Sequence, residues 1–151
     1  MRMSLRCAAA TWATLLGWTL GIAAEAKVKM SDLPPAVQSA VKEQSKGATI
    51  LNLSKETENG KTEYEAELTV NGQHRDISFD SAGNVISVED EVPLGSVPEA
   101  ARTAIQKAAG AGAVRKVELV KENGRTFYEA AIRKGGKISE IQVDADGVLI
   151  K

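Results

Sequence analysis

Two stretches, ENGKTEYEAEL at Glu58–Leu68 and ENGRTFYEAAI at Glu122–Ile132, stand 64 positions apart and read almost alike. Carrying the same offset outward aligns Leu33–Ser87 with Val97–Lys151 without a gap, and 15 of the 55 paired positions are identical. The identities include Pro34/Pro98, Ala36/Ala100, Ala40/Ala104, Tyr64/Tyr128, Ile77/Ile141, Asp80/Asp144 and Gly83/Gly147. An ungapped match over that length indicates duplication of one structural unit.

Each unit opens with a helix. In DLPPAVQSAVKEQSKG, Asp32 is placed as the N-cap, with prolines in the first turn where a missing N–H costs little. In SVPEAARTAIQKAAGAG, Ser96 and Glu99 have the spacing of a capping box. Leu33, Val37, Ala40 and Val41 share one helical face, as do Val97, Ala101, Ala104, Ile105 and Ala108. Gly47 ends the first helix, and Gly110 or Gly112 the second.

Four strands are predicted after each helix, and their turns set the register. Asn59-Gly60 and Asn123-Gly124 suit two-residue turns with positive φ at both central positions. Asn71-Gly72 and Gly135-Gly136 supply the second turn of each unit, and FDSAGNVI and VDADGVLI the third. Counting outward sets Leu53 opposite Ala66, Leu51 opposite Leu68, Tyr64 opposite Phe79 and Ala66 opposite Ile77. The second unit gives Leu119–Tyr128, Val117–Ala130, Tyr128–Val143 and Ala130–Ile141. Two independent turns therefore agree on one apolar face, where the helix packs. The expected fold class is α+β, two tandem α-β-β-β-β repeats, each a helix on an antiparallel sheet. Repeat 1 spans residues 27–90, a linker 91–95, and repeat 2 residues 96–151. One such unit alone buries too little surface for firm stability, so the two pack together.

The first 26 residues have the parts of a signal peptide. Arg2 and Arg6 precede an apolar run from Cys7 to Ala24, and Ala24-Glu25-Ala26 fits the cleavage pattern, with the cut after Ala24 or Ala26. The sole cysteine, Cys7, and both tryptophans lie within this segment. The exported chain is therefore expected to have no disulfide, thiolate nucleophile or cysteine metal site. Removing Arg2 and Arg6 leaves 17 basic against 20 acidic residues, a formal charge of −3. That balance does not suit nucleic acid as a partner, which calls for a concentrated basic face. The expected location is the periplasm or the exterior, with no membrane attachment after cleavage.

A short helix opening with LPPAV or VPEAA, then NGxTxYEA, then FDSAGNVI or VDADGVLI, resembles the PepSY and PepSY-like domains. The tandem layout is similar to the repeats of the β-lactamase inhibitor proteins, although the cysteines that form disulfides there are missing here. The resemblance covers nearly all of the exported chain. It implies a non-enzymatic module that binds, and in some cases inhibits, another exported or envelope protein such as a peptidase. It carries over no catalytic residue and no cofactor.

His74, Asp76 and Ser78 share a strand face, but same-face neighbours lie ~6.6–7 Å apart along a strand, too far for a nucleophile and its base. Ordinary exposed strand residues are the simpler reading, and no catalytic residue is assigned. DADG at Asp144–Gly147 resembles part of a calcium loop but lacks the later glutamate, so a turn is the simpler reading. The outer face of repeat 1 gathers Glu63, Glu65, Glu67, Asp76 and Asp80. It is either a solvated face or, as an alternative function, the site of a small-ligand or divalent-cation binder. On the corresponding face of repeat 2, Val120, Phe127, Ala131 and Ile138 lie near Arg133. They form either a protein interface or an internally buried patch.

Overall fold

Pro34 and Pro98 decide where the two helices begin. The residue before a proline is held extended, and Leu33 (ψ 150°) and Val97 (ψ 139°) both have that conformation. In this computed structural model, which describes residues 25–58 and 60–150, helix α1 therefore runs Pro35–Gln44 and α2 runs Glu99–Ala109. Asp32 and Ser96, expected as N-caps, instead belong to short 3-10 turns, Met30–Asp32 and Leu94–Ser96. Asp32 Oδ2 accepts the Lys29 N–H (3.1 Å), and Ser96 Oγ donates to Pro93 O (2.7 Å). The expected leader falls outside the described residues up to position 24.

Among the described residues, eight strands form one antiparallel meander in chain order: β1 Ala26–Lys27, β2 Thr49–Glu58, β3 Lys61–Val70, β4 Gln73–Asp80, β5 Val85–Glu91, β6 Ala113–Glu122, β7 Arg125–Lys134 and β8 Lys137–Val143. The turns behave as their residues require. Asn71 and Gly72 have φ 50° and 83°, and Asn123 and Gly124 have φ 50° and 74°. With both central residues left-handed, the hairpins close in the register counted from sequence. Leu53↔Ala66, Tyr64↔Phe79, Ala66↔Ile77, Leu119↔Tyr128, Val117↔Ala130, Tyr128↔Val143 and Ala130↔Ile141 are all paired.

One expected pair is displaced. Ile50, not Leu51, stands opposite Leu68, because the register shifts between Ile50 and Asn52 and leaves Leu51 54% exposed. The second unit has the same irregularity between Val114 and Lys116. A bulge adds one residue to a single strand, so turn counting from the far end of the hairpin overruns it by one.

Val37 and Val41 of helix α1, with Leu33 just before it, pack onto Leu53, Tyr64, Ala66, Leu68, Ile77 and Phe79. Ala101 and Ile105 of helix α2, with Val97 just before it, pack onto Val117, Ala130 and Val143. Ala109 is buried and Ala108 exposed, reversing the expectation for Ala108, because 101, 105 and 109 keep strict i+4 spacing. Each helix also rests on the last turn of its own unit. A Cβ on Gly83 would lie 2.7 Å from Ala36 O, and one on Gly147 2.6 Å from Ala100 O.

The two units share one sheet, joined along β5–β6 with Glu89↔Val120 and Glu91↔Glu118 in register. The architecture is α+β. Two exact α-β-β-β-β units are not what it contains: β1 is an addition, and the fourth strand of repeat 2 is reduced to the single bridge Val143↔Leu149 among the described residues.

Candidate functional site: a carboxylate cluster at the seam of the sheet

Strand alternation sends one set of side chains to the helices and the other to the opposite, helix-free face. On that face the pairing sets carboxylates directly across from one another. Glu67↔Asp76↔Glu89 runs over β3, β4 and β5, and Glu91↔Glu118↔Glu129 over β5, β6 and β7. Like charges in directly opposed positions are destabilising, so this arrangement costs the fold stability.

The centre of the cluster is the trio Asp76, Glu89 and Glu118, each of which places one carboxylate oxygen within 4.8 Å of one from each of the others. Repeat 1 supplies the first two and repeat 2 the third, so the trio exists only because β5 pairs with β6. Glu118 is 3% exposed. Lys116 Nζ stands 2.8 Å from Glu118 Oε1, and His74 Nδ1 lies 3.5 Å from Asp76 Oδ2. Asp76 Oδ1 is buried and has no hydrogen-bond partner among the described residues.

Protonation follows from this crowding. Burial, then the charge of Glu65, push the Asp76 carboxyl up from 3.8 to about 7, with Glu118 adding and His74 and Lys116 opposing. Burial, then Glu118, Glu129, Asp76 and Glu65, push Glu89 up from 4.5 to about 8. Burial also raises Glu118, partly offset by Lys116. Burial works against the Lys116 charge, but Glu118, Asp76 and Glu89 prevail and hold its pKa above the ordinary value. A site in this state holds protons near neutral pH.

The five carboxylates picked out by sequence are divided by the structure. Asp76 is in the trio and Glu65 in its field. Glu67 is held by Asn52 Nδ2 at 2.8 Å. Asp80 serves its own turn: its carboxylate accepts from Asn84 Nδ2 and from the N–H groups of Asn84 and Ala82, and these bonds lower its pKa. Asp144 accepts the Asp146 and Val148 N–H groups in the same way, which makes DADG a turn. Glu63 is exposed, paired in register with Glu56 and Asp80 away from the trio.

On the repeat 2 side, Val120 and Phe127 are 4% and 2% exposed, so of the two readings left open by sequence they have the buried one. Ala131 is half-buried, while Arg133 and Ile138 are exposed. Sequence reasoning missed Glu89 and Glu118 altogether. No tight turn joins β5 to β6, so their register could not be counted. The one available signal was Glu118 itself, a lone acid inside VRKVELV.

His74 and Ser78 make no hydrogen bond to each other among the described residues, which leaves the Ser-His-Asp set without a nucleophile–base contact. No helix among the described residues is long and apolar enough to cross a membrane.

Comparison with known proteins agrees with the repeat. A family model described as "Putative beta-lactamase-inhibitor-like, PepSY-like" matches the chain twice, over residues 17–87 and 62–151. A BLIP-like protein from Bacteroides fragilis superposes with a TM-score of 0.60 at 21% identity, over 79% of this chain and 84% of that one. A "putative periplasmic" protein from Bacteroides eggerthii gives a TM-score of 0.66 at 18% identity, over 79% and 86%. A DUF2874 family protein from Bacteroides uniformis gives 0.64 at 19%, over 78% and 86%. No curated protein matches significantly.

Proposed function

The chain belongs to the PepSY-like, β-lactamase-inhibitor-like family, and from that premise and the geometry of its sheet we propose that it is an exported, non-catalytic binding module. It holds a partner protein of the cell envelope, such as a peptidase, against the helix-free face, and restraint of that partner is in keeping with the inhibitor-like family description. The observation that carries the reading is the trio Asp76–Glu89–Glu118, three carboxylates within 4.8 Å where folding alone gains nothing from them. A basic side chain of the partner entering this cluster replaces its protons and relieves its repulsion. The periplasmic description of the B. eggerthii neighbour and the signal-like first residues support an envelope location.

The test is capture from exported and envelope fractions by immobilised protein, comparing wild type with Asp76→Asn/Glu89→Gln/Glu118→Gln. Partners lost from the variant and weakened by salt support the proposal. The same partners held equally by both would sink it.

A second reading is favoured by one observation, the buried Asp76 Oδ1 with no hydrogen-bond partner among the described residues. A divalent cation coordinated by Asp76, Glu89 and Glu118 satisfies that oxygen, since hard cations take carboxylate ligands. Calorimetric titration with calcium decides it: heat and a raised melting temperature in wild type, absent from the triple variant, are the expected results. No heat and no thermal shift in wild type exclude it.

A further inference from the structure

The joint between the two repeats is built differently from the hairpins beside it. At β5–β6 the cross-strand pairs are Ser87↔Glu122, Val88↔Lys121, Glu89↔Val120, Asp90↔Leu119 and Glu91↔Glu118, and none of them sets two apolar side chains together. The apolar residues of these strands are matched inside their own repeats instead. Val88 stands opposite Ile77, Leu119 opposite Tyr128 and Val120 opposite Phe127. The ion pairs Arg75–Asp90 and Lys116–Glu118 likewise lie within repeat 1 and repeat 2 respectively. The two helices cover separate cores, and among the described residues no buried side chain belongs to both. Glu91 and Glu118, directly opposed, add a like-charge pair that works against closure.

The ends of the joint are unequal. At one end Val92 donates its N–H to Val117 O (2.9 Å), and Val92 and Leu94 pack onto the repeat 2 core. At the other end the pairing stops at Ser87↔Glu122, beside a cavity of about 390 Å³ lined by Val85, Val88, Lys121, Glu122 and Asn123. Regions with few buried apolar contacts open at lower free energy than the cores they connect, and hinges fall at the ends of elements.

We propose that the two repeats hinge at Glu91–Val92, with β5 parting from β6 from the Ser87–Glu122 end while each repeat keeps its own core. This opening has a consequence for the carboxylates. Asp76 and Glu89 travel with repeat 1 and Glu118 with repeat 2, so the trio is complete only when the joint is closed.

Amide hydrogen exchange of the full chain, followed by NMR, is the test. Antiparallel pairs alternate between hydrogen-bonded and non-bonded, so counting from Val92–Val117, the amides of Asp90, Leu119, Val88 and Lys121 bond across the joint. Protection is expected to fall from Asp90 and Leu119 to Val88 and Lys121. The last two should be at least about tenfold less protected than Ala66 and Ile77, which bond across β3–β4. Lys121→Val sets an apolar side chain opposite Val88, and should raise protection of the joint amides several-fold while leaving Ala66 and Ile77 unchanged. Protection at Val88 and Lys121 equal to that at Ala66 and Ile77 overturns the inference. So does a Lys121→Val protein whose joint amides exchange as fast as those of wild type.

Discussion

Asp76 and Glu89 stand directly opposite each other on β4 and β5, with one carboxylate oxygen of Glu118 from β6 within 4.8 Å of an oxygen of each. Their pKa values of about 7 and about 8 lie above the ordinary 3.8 and 4.5. The folded chain thus binds more protons than the unfolded one between those limits. Stability from these groups is fully present below about pH 4, and it is lost as pH rises through 7 and 8. Thermal melts should show the melting temperature falling from pH 5 to pH 9. Asp80 acts in the opposite sense, but only near and below its ordinary 3.8, so it does not flatten this slope.

Glu89→Gln removes one of the repelling charges while keeping its shape. It is expected to raise stability at pH 8 by roughly 1–2 kcal/mol, and to make little difference at pH 4. Chemical denaturation at the two pH values measures this. An equal effect at both would mean that Glu89 is not crowded as described.

Gly83→Ala and Gly147→Ala place a Cβ 2.7 and 2.6 Å from helix carbonyl oxygens, at φ +81° and +82°. Each should cost at least about 1–3 kcal/mol, since neither the helix backbone nor the turn can yield cheaply. Gly124→Ala, with the same handedness but nothing within 4 Å, should cost less than either. Equilibrium unfolding of the three variants ranks them.

The bulge separates two neighbouring leucines. Leu53, 8% exposed, lies in the α1 core, whereas Leu51 is 54% exposed. Leu53→Ala is expected to cost about 2–5 kcal/mol, and Leu51→Ser no more than about 0.5 kcal/mol. Comparable losses at both positions would restore the simple alternation that turn counting predicted.

Those leucines also mark how far sequence reading reaches. Hairpin registers were legible because Asn-Gly turns fix them from within, and the core residues Tyr64, Ala66, Ile77 and Phe79 followed directly. Helix starts were placed too early, because Asp32 and Ser96 look like caps while Pro34 and Pro98 keep their predecessors extended. The bulge at Leu51 has no residue signature of its own. The candidate site was the least legible part. Asp76 was picked from its own hairpin face, but Glu89 and Glu118 meet it only through β5–β6, whose strands are joined by a connection containing α2. Pairings made across such a connection leave no countable register in the chain.

Whether the carboxylate seam is the binding surface is measured by the binding isotherm of a partner captured from the envelope, titrated calorimetrically against wild type and against Asp76→Asn/Glu89→Gln/Glu118→Gln. Affinity is expected to fall by at least about tenfold in the variant, while the variant still unfolds cooperatively. Equal affinity for both proteins would contradict it and move the binding surface elsewhere.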